Sequence, residues 1–162
     1  CNAIDKVLID TNLPNKTAFT NQLLSKLKAL KIEVLGDTFF SKFDQVTEIS
    51  SNDIWYEEFL DYKILIGEIT SNENAIEMIN KYSGGHSSVI ITDNEAEAIL
   101  FMENVDTAAV YQNASTRFTD GGQLGLGGEL AISTDKLHQR GPIGLKHLVT
   151  NKWYVHGNGQ IR

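Results

Sequence analysis

Ile64-Leu65-Ile66 sets the reading of the whole chain. Three apolar residues in a row leave no polar face, which suits a strand covered on both sides better than one half in water. Similar runs lie around it: Val7-Leu8-Ile9, residues 32–35, Val89-Ile90-Ile91 and Ala108-Ala109-Val110. Between the first two, Phe19, Leu23, Leu27 and Leu30 recur at spacings of four, four and three, placing them on one helical stripe with Lys16, Lys26 and Lys28 toward water. Pro14 stands where a helix start tolerates proline. A second helix is expected over Asn72–Tyr82, with Ala75, Ile76 and Ile79 inward, Ser71 as its cap and Gly84-Gly85 as its stop. A third follows Thr92-Asp93 and carries Ala96, Leu100 and Met102. The alternation is βαβαβα, which predicts an α/β layer structure with a parallel sheet and right-handed crossovers. Residues 37–51, with Phe39, Phe40 and Phe43, fit either a helical face or a packed loop.

A length of 162 residues suits one domain, and 41% apolar with 22% charged residues is the composition of a globular chain. Fourteen basic against 21 acidic residues give a net charge of −7, so a generic attraction to nucleic acid or to an anionic membrane is not expected. No apolar run approaches the ~20 residues that span a bilayer. A leader of the charged-then-apolar kind is missing, and the expectation is a cytoplasmic protein. The single cysteine excludes an internal disulfide framework and a thiolate-rich metal site. It is residue 1, an unusual beginning, which suggests a fragment or an excised domain. By itself Cys1 reads as a small hydrophobe or as a nucleophile needing a nearby cation or helix start.

From Asn113 onward the texture changes. A polar stretch, Asn113-Ala114-Ser115-Thr116-Arg117-Phe118-Thr119-Asp120, follows a buried strand, where open α/β sheets collect ligands. It leads into Gly121-Gly122-Gln123-Leu124-Gly125-Leu126-Gly127-Gly128. Leu130 occupies the third glycine position of a dinucleotide fingerprint, and no Gly-Lys-Ser/Thr is present, so neither nucleotide motif applies. The glycines fit a flexible turn, or a cradle of N–H groups for an anion with Arg117 or Arg140 as charge partner. His86, His138, His147 and His156 lack metal-ligand spacing, and no metal is expected. Glu57-Glu58 cannot serve as a glycosidase pair, because sequence neighbours point apart, and there is no G-x-S-x-G elbow. Lys152-Trp153-Tyr154-Val155-His156 alternates as a strand, either an edge or one donated to another subunit.

At Tyr111-Gln112-Asn113-Ala114-Ser115-Thr116-Arg117-Phe118-Thr119-Asp120-Gly121 the chain resembles the γ-glutamyl phosphate reductase (glutamate-5-semialdehyde dehydrogenase) family of the aldehyde dehydrogenase superfamily. Cys1-Asn2-Ala3, Ser133-Thr134-Asp135-Lys136-Leu137-His138, Arg140-Gly141-Pro142-Ile143-Gly144-Leu145 and Gly157-Asn158-Gly159-Gln160-Ile161-Arg162 carry the resemblance along the whole length. It implies a three-layer parallel-sheet catalytic domain over residues 1–149 and a terminal oligomerisation strand over 150–162, with the NADPH-binding domain lying upstream. It further implies reduction of L-glutamyl 5-phosphate by NADPH through a thioester on Cys1, in proline biosynthesis. Glu58 would hold the nicotinamide ribose, Leu60 would lie behind the ring, and Asn113, Ser115, Thr116 and Arg117 would form the substrate loop. His86 matches a family histidine, with packing and substrate contact both open to it. A homo-oligomer and coupling to glutamate 5-kinase belong to the same expectation. The competing reading is an acidic α/β module that binds a small anion or a protein partner without chemistry.

Overall fold

The computed structural model describes residues 2–162; Cys1, the expected nucleophile, lies outside the described residues. The apolar runs become strands β1 (Lys6–Asp10), β2 (Glu33–Gly36), β4 (Lys63–Ile69), β5 (Ser87–Ile90) and β6 (Ala109–Gln112). β3 (Val46–Glu48) joins the first three in a parallel sheet of order β1-β4-β2-β3. β4 runs through its middle. Its Ile64 and Ile66 pack with Leu24 and Leu27 of helix α1 (Lys16–Ala29) and with Phe40, while Leu65 packs on the other side with Leu35 and Trp55. This division of alternate side chains between two cores makes three layers and explains why β4 has no polar face.

The expected helices form, with two changes of face. In α1 the buried residues are Thr20, Leu24 and Leu27, whereas Phe19 and Leu30 are 45% and 66% exposed. Lys16 does not face water: it pairs with Glu68 and lies 3.8 Å from the Phe39 ring centroid, which sets the rotation of the helix. Leu30 falls past the last helical residue. Helix α2 (Asn72–Tyr82) has the expected bounds, and Ser71 Oγ accepts from the Asn74 N–H at 3.2 Å. Helix α3 (Glu95–Asn104) starts at an Asn94 cap and buries Ala98 and Phe101, with Val105 just beyond it, instead of Ala96 and Met102, because that stripe meets Ile76 of α2.

Residues 37–51 resolve into a packed 3₁₀ turn (Phe40–Lys42) followed by β3. Asp37 organises it: Oδ1 accepts from the Phe39 and Phe40 N–H groups, and Oδ2 from the Glu68 N–H at 2.7 Å. Gly67 of β4 is required by contact, since a Cβ there would stand 2.5 Å from the Trp55 ring.

β5 and β6 form a separate parallel pair, and β7 (Glu129–Ser133) and β8 (Gly141–Gly144) an antiparallel one with an irregularity between Glu129 and Ala131. Asp106, after α3, fastens the β7–β8 connection: it pairs with Lys136 and accepts from Arg140 Nη1 at 2.8 Å. Those two cations hold its carboxyl below the usual range. The strand expected over residues 152–156 is not formed. Residues 149–162 carry no regular structure and are exposed, because a strand exists only by pairing and no ladder among the described residues reaches this segment. No helix among the described residues is long and apolar enough to cross a membrane.

Candidate functional site

Beyond the carboxyl end of β6 the chain turns sharply at Asn113, whose φ is 50°. Its side chain closes the turn: Oδ1 accepts from the Thr92 N–H at 2.9 Å and Nδ2 donates to the Thr92 carbonyl at 2.7 Å. Ser115 then caps a short 3₁₀ turn (Thr116–Phe118) by accepting from the Arg117 N–H at 3.2 Å. Thr116, buried within it, donates to the Asn2 carbonyl at 2.7 Å. Asn2 Nδ2 returns the contact, donating to the carbonyl of Thr119 at 3.0 Å and to that of Arg117 at 3.4 Å. The residue following Cys1 in sequence is thus stapled to the 113–119 loop from both its backbone and its side chain.

Of the four residues expected to form the substrate loop, Asn113, Ser115 and Thr116 shape it, and Arg117 is exposed with no ion pair among the described residues. Thr119 is the hidden centre. Its Oγ1 lies 2.7 Å from Ser87 Oγ and 2.8 Å from Tyr111 Oη, joining β5, β6 and the loop through one hydroxyl. Thr119 and Tyr111 both lie inside the 111–121 motif, whose pattern alone assigns them no role. The signal available was hydroxyl residues placed beside apolar strands, where a buried oxygen needs a partner.

Glu58 and Leu60 lie on the loop before β4, both exposed, with Leu60 at 85% exposure and a φ of 49°. Phe59 between them is half-buried, with Lys6 and Lys63 over its ring at 5.4 and 5.9 Å from the centroid. His86, at the foot of β5, is buried, and burial pushes its imidazole below the ordinary value while the carboxylates of Glu129 and Glu58 oppose the shift.

The glycine-rich run is not an open anion cradle. Its own carboxylates take its amides: Asp120 Oδ1 accepts from the Gly122 and Gln123 N–H groups, and Glu129 Oε2 from Gly121 at 3.0 Å. Arg140, weighed as a charge partner for an anion there, is turned to Asp106 instead.

No family model matches the chain. Two curated proteins named γ-glutamyl phosphate reductase, from Clostridium botulinum and Dictyoglomus thermophilum, are each 46% identical to it over 163 and 162 aligned residues, covering 100% of this chain and 39% of theirs. The crystal structure of γ-glutamyl phosphate reductase from Thermotoga maritima superposes with a TM-score of 0.89 at 41% identity, over 100% of this chain and 39% of that one. The chain is homologous, end to end, to a segment of γ-glutamyl phosphate reductases. It spans about two fifths of the length of these reductases. A reductase structure from Saccharomyces cerevisiae is more distant, with a TM-score of 0.57 and 26% identity over 76% of the chain. The α/β fold read from the sequence is therefore that of a reductase segment.

Proposed function

We propose that the protein carrying this chain is an NADPH-dependent oxidoreductase that converts L-glutamyl 5-phosphate to L-glutamate 5-semialdehyde and phosphate, a step of proline biosynthesis. The reading rests on end-to-end homology to the reductases together with one structural observation. Asn2, covalently next to Cys1, is held by Thr116 and Thr119 at the loop that begins beyond the carboxyl end of β6.

In this reading the Cys1 thiolate attacks the γ-carbonyl of the acyl phosphate, the C–O bond to phosphate breaks, and a thioester remains. Phosphate leaves as a stable anion and needs little acid assistance. Backbone N–H donors near the loop stabilise the oxyanion of each tetrahedral species. Arg117, exposed and unpaired among the described residues, attracts an anionic group of the substrate. Glu58 makes no hydrogen bond among the described residues, and Leu60 presents bare apolar surface two positions away, a set that fits the ribose hydroxyls and the nicotinamide ring. NADPH, when bound there, supplies the hydride that reduces the thioester. Cys1 then departs as the thiolate when the aldehyde forms.

Residues 1–149 make up most of the catalytic domain in this proposal, and an upstream domain carries the rest of the cofactor site. The exposed Trp153, Tyr154 and Val155 pair as a strand with a second subunit in this proposal, which makes the enzyme a homo-oligomer. The lability of an acyl phosphate argues for coupling to glutamate 5-kinase. The test is alkylation of the complete enzyme with iodoacetamide and, separately, Cys1→Ala. Both abolish semialdehyde formation, with the label mapping to Cys1; activity that survives Cys1→Ala rules the mechanism out.

A further inference from the structure

The segment that leads from Cys1 into β1 is tied to the fold at few points. Residues 2–4 make no backbone–backbone hydrogen bond among the described residues. The first such contact on the way into the strand is the Leu65 N–H donating to the Asp5 carbonyl at 2.9 Å. Ala3 and Ile4 are exposed. Asn2 is instead held by the 113–119 loop, through Thr116 Oγ1 on its carbonyl and through its own Nδ2 on the carbonyls of Thr119 and Arg117.

The loop is a firm anchor. Asn113 is closed on Thr92, and Thr119 Oγ1 ties it to Ser87 of β5 and Tyr111 of β6. Thr116 is buried, and a threonine hydroxyl has one proton, which here goes to the Asn2 carbonyl at 2.7 Å. Thr116 therefore has no proton left to donate to a substrate. Its chemistry is directed at the segment that follows Cys1. Holding the carbonyl and the side-chain amide of Asn2 fixes one end of the peptide that joins it to the preceding residue. A peptide is planar and stiff, so a single soft torsion, the φ of Asn2, separates the held atoms from the next Cα.

We infer that Thr116 and Asn2 are positioning residues for the Cys1 nucleophile: the Thr116 hydroxyl and the Asn2 amide clasp the segment at two points and hold the thiol on its line of approach to the carbonyl carbon. The assignment rests on the thioester reading, and it gives Thr116 a role toward the nucleophile in place of a contact to substrate. Alignment of this kind matters because attack needs the reacting atoms about 3–3.5 Å apart, and a misplacement of about 1 Å costs on the order of a hundredfold in rate.

The test uses the complete enzyme in the aldehyde-oxidising direction, with L-glutamate 5-semialdehyde and NADP⁺ but no phosphate. The thiolate adds to the aldehyde carbon, hydride passes from that carbon to NADP⁺, and the reaction halts at the thioester, so each folded site forms one NADPH. The amplitude of that single turnover counts folded sites and its rate constant reports alignment at each, so a folding defect and a positioning defect read differently. In Thr116→Val, which keeps the shape and loses the hydroxyl, the rate constant falls about ten- to a hundredfold with the amplitude unchanged. KM for the semialdehyde moves less than about twofold, as for an interaction that acts only in the transition state. Thr116→Ser, which restores the hydroxyl, recovers most of the lost rate. Asn2→Ala lowers the rate constant about two- to tenfold, the range of one hydrogen bond, because Thr116 still holds the carbonyl. Asn2 is half-buried, so this variant decides the matter if Thr116→Val fails to fold. Parental rate constants in the folded variants overturn the clasp. So does a rise in KM at constant rate, which makes Thr116 a substrate contact, or an equal loss in Thr116→Val and Thr116→Ser, which makes it packing. Activity that survives Cys1→Ala overturns the thioester and the clasp together, whereas an inactive Cys1→Ala beside a Thr116→Val of parental rate overturns the clasp alone.

Discussion

Thr119→Val removes one oxygen from the centre of the candidate site and changes little else. The side chain is 1% exposed, and valine fills the same volume. What disappears are the contacts at 2.7 Å to Ser87 Oγ and 2.8 Å to Tyr111 Oη. Each such hydrogen bond contributes about 0.5–1.5 kcal/mol net, and the two hydroxyls left behind are only partly able to reach water. The expected loss is about 2 kcal/mol, placed above the sum of two weak bonds by those stranded groups and below a fully buried case. With a urea slope of about 1–3 kcal/mol per molar for a chain of this size, the unfolding midpoint falls by about 1 M. Tryptophan fluorescence reads it when the chain unfolds as a whole, since Trp55 is buried against Leu35 and Leu65 of the four-stranded sheet. A double-mutant cycle with Tyr111→Phe isolates one arm and returns a coupling of about 1 kcal/mol. A loss under about 0.5 kcal/mol, within the range of ordinary surface changes, or strictly additive single variants, would falsify the idea that Thr119 joins these elements.

Gly67→Ala forces a Cβ to 2.5 Å from the Trp55 ring and lowers stability by about 1–3 kcal/mol; a urea midpoint equal to that of the parent chain means the ring moves aside without cost. Thr20→Val has the opposite sign, because Thr20 Oγ1 is buried with no partner in the α1 core; stability rises by about 1 kcal/mol, read as a Tm increase of about 2–4 °C, and a decrease counts against the reading. The His86 imidazole lies below its ordinary value of 6.5 in the folded chain, so on acidification the unfolded chain takes up that proton first. The stability it supports is complete above about pH 6.5 and declines as the pH drops through and below that value. Urea midpoints at about pH 7.5 and 5.5 fall further apart in the parent chain than in His86→Gln, and equal intervals refute it.

Much of this architecture is written in local pattern. Continuous apolar runs such as Ile64-Leu65-Ile66 identify strands because burial on both faces leaves no room for a polar alternation, and the ends of α2 are marked by the Ser71 hydroxyl cap and by Gly84-Gly85 just past its last turn. The helix faces were less legible. In α1 two stripes one residue apart, through Phe19 or through Thr20, compete, and the choice falls to Lys16, whose charge is drawn to Glu68 from a strand 52 positions away. The β7–β8 pairing was invisible because its register depends on the irregularity at Glu129 and on Asp106 holding the connection. The glycine run left its two readings open for a related reason. Its amides look free in one dimension, and only folding brings Glu129 to Gly121. At the site, the motif located the loop, whereas the division between residues that shape it and Arg117, which projects from it, required the hydrogen bonds.

The order β1-β4-β2-β3 has a consequence for assembly in time. Among the described residues β1 has no neighbour until residues 63–69 arrive, since its parallel partner is β4 and not β2. A growing or truncated chain that stops short of this point can join only β2 to β3 and leaves the hydrophobic face of α1 without its floor. Nucleation must therefore wait for a loop of some fifty residues to close, which slows the early sheet and leaves that half of the molecule dependent on protection while it forms.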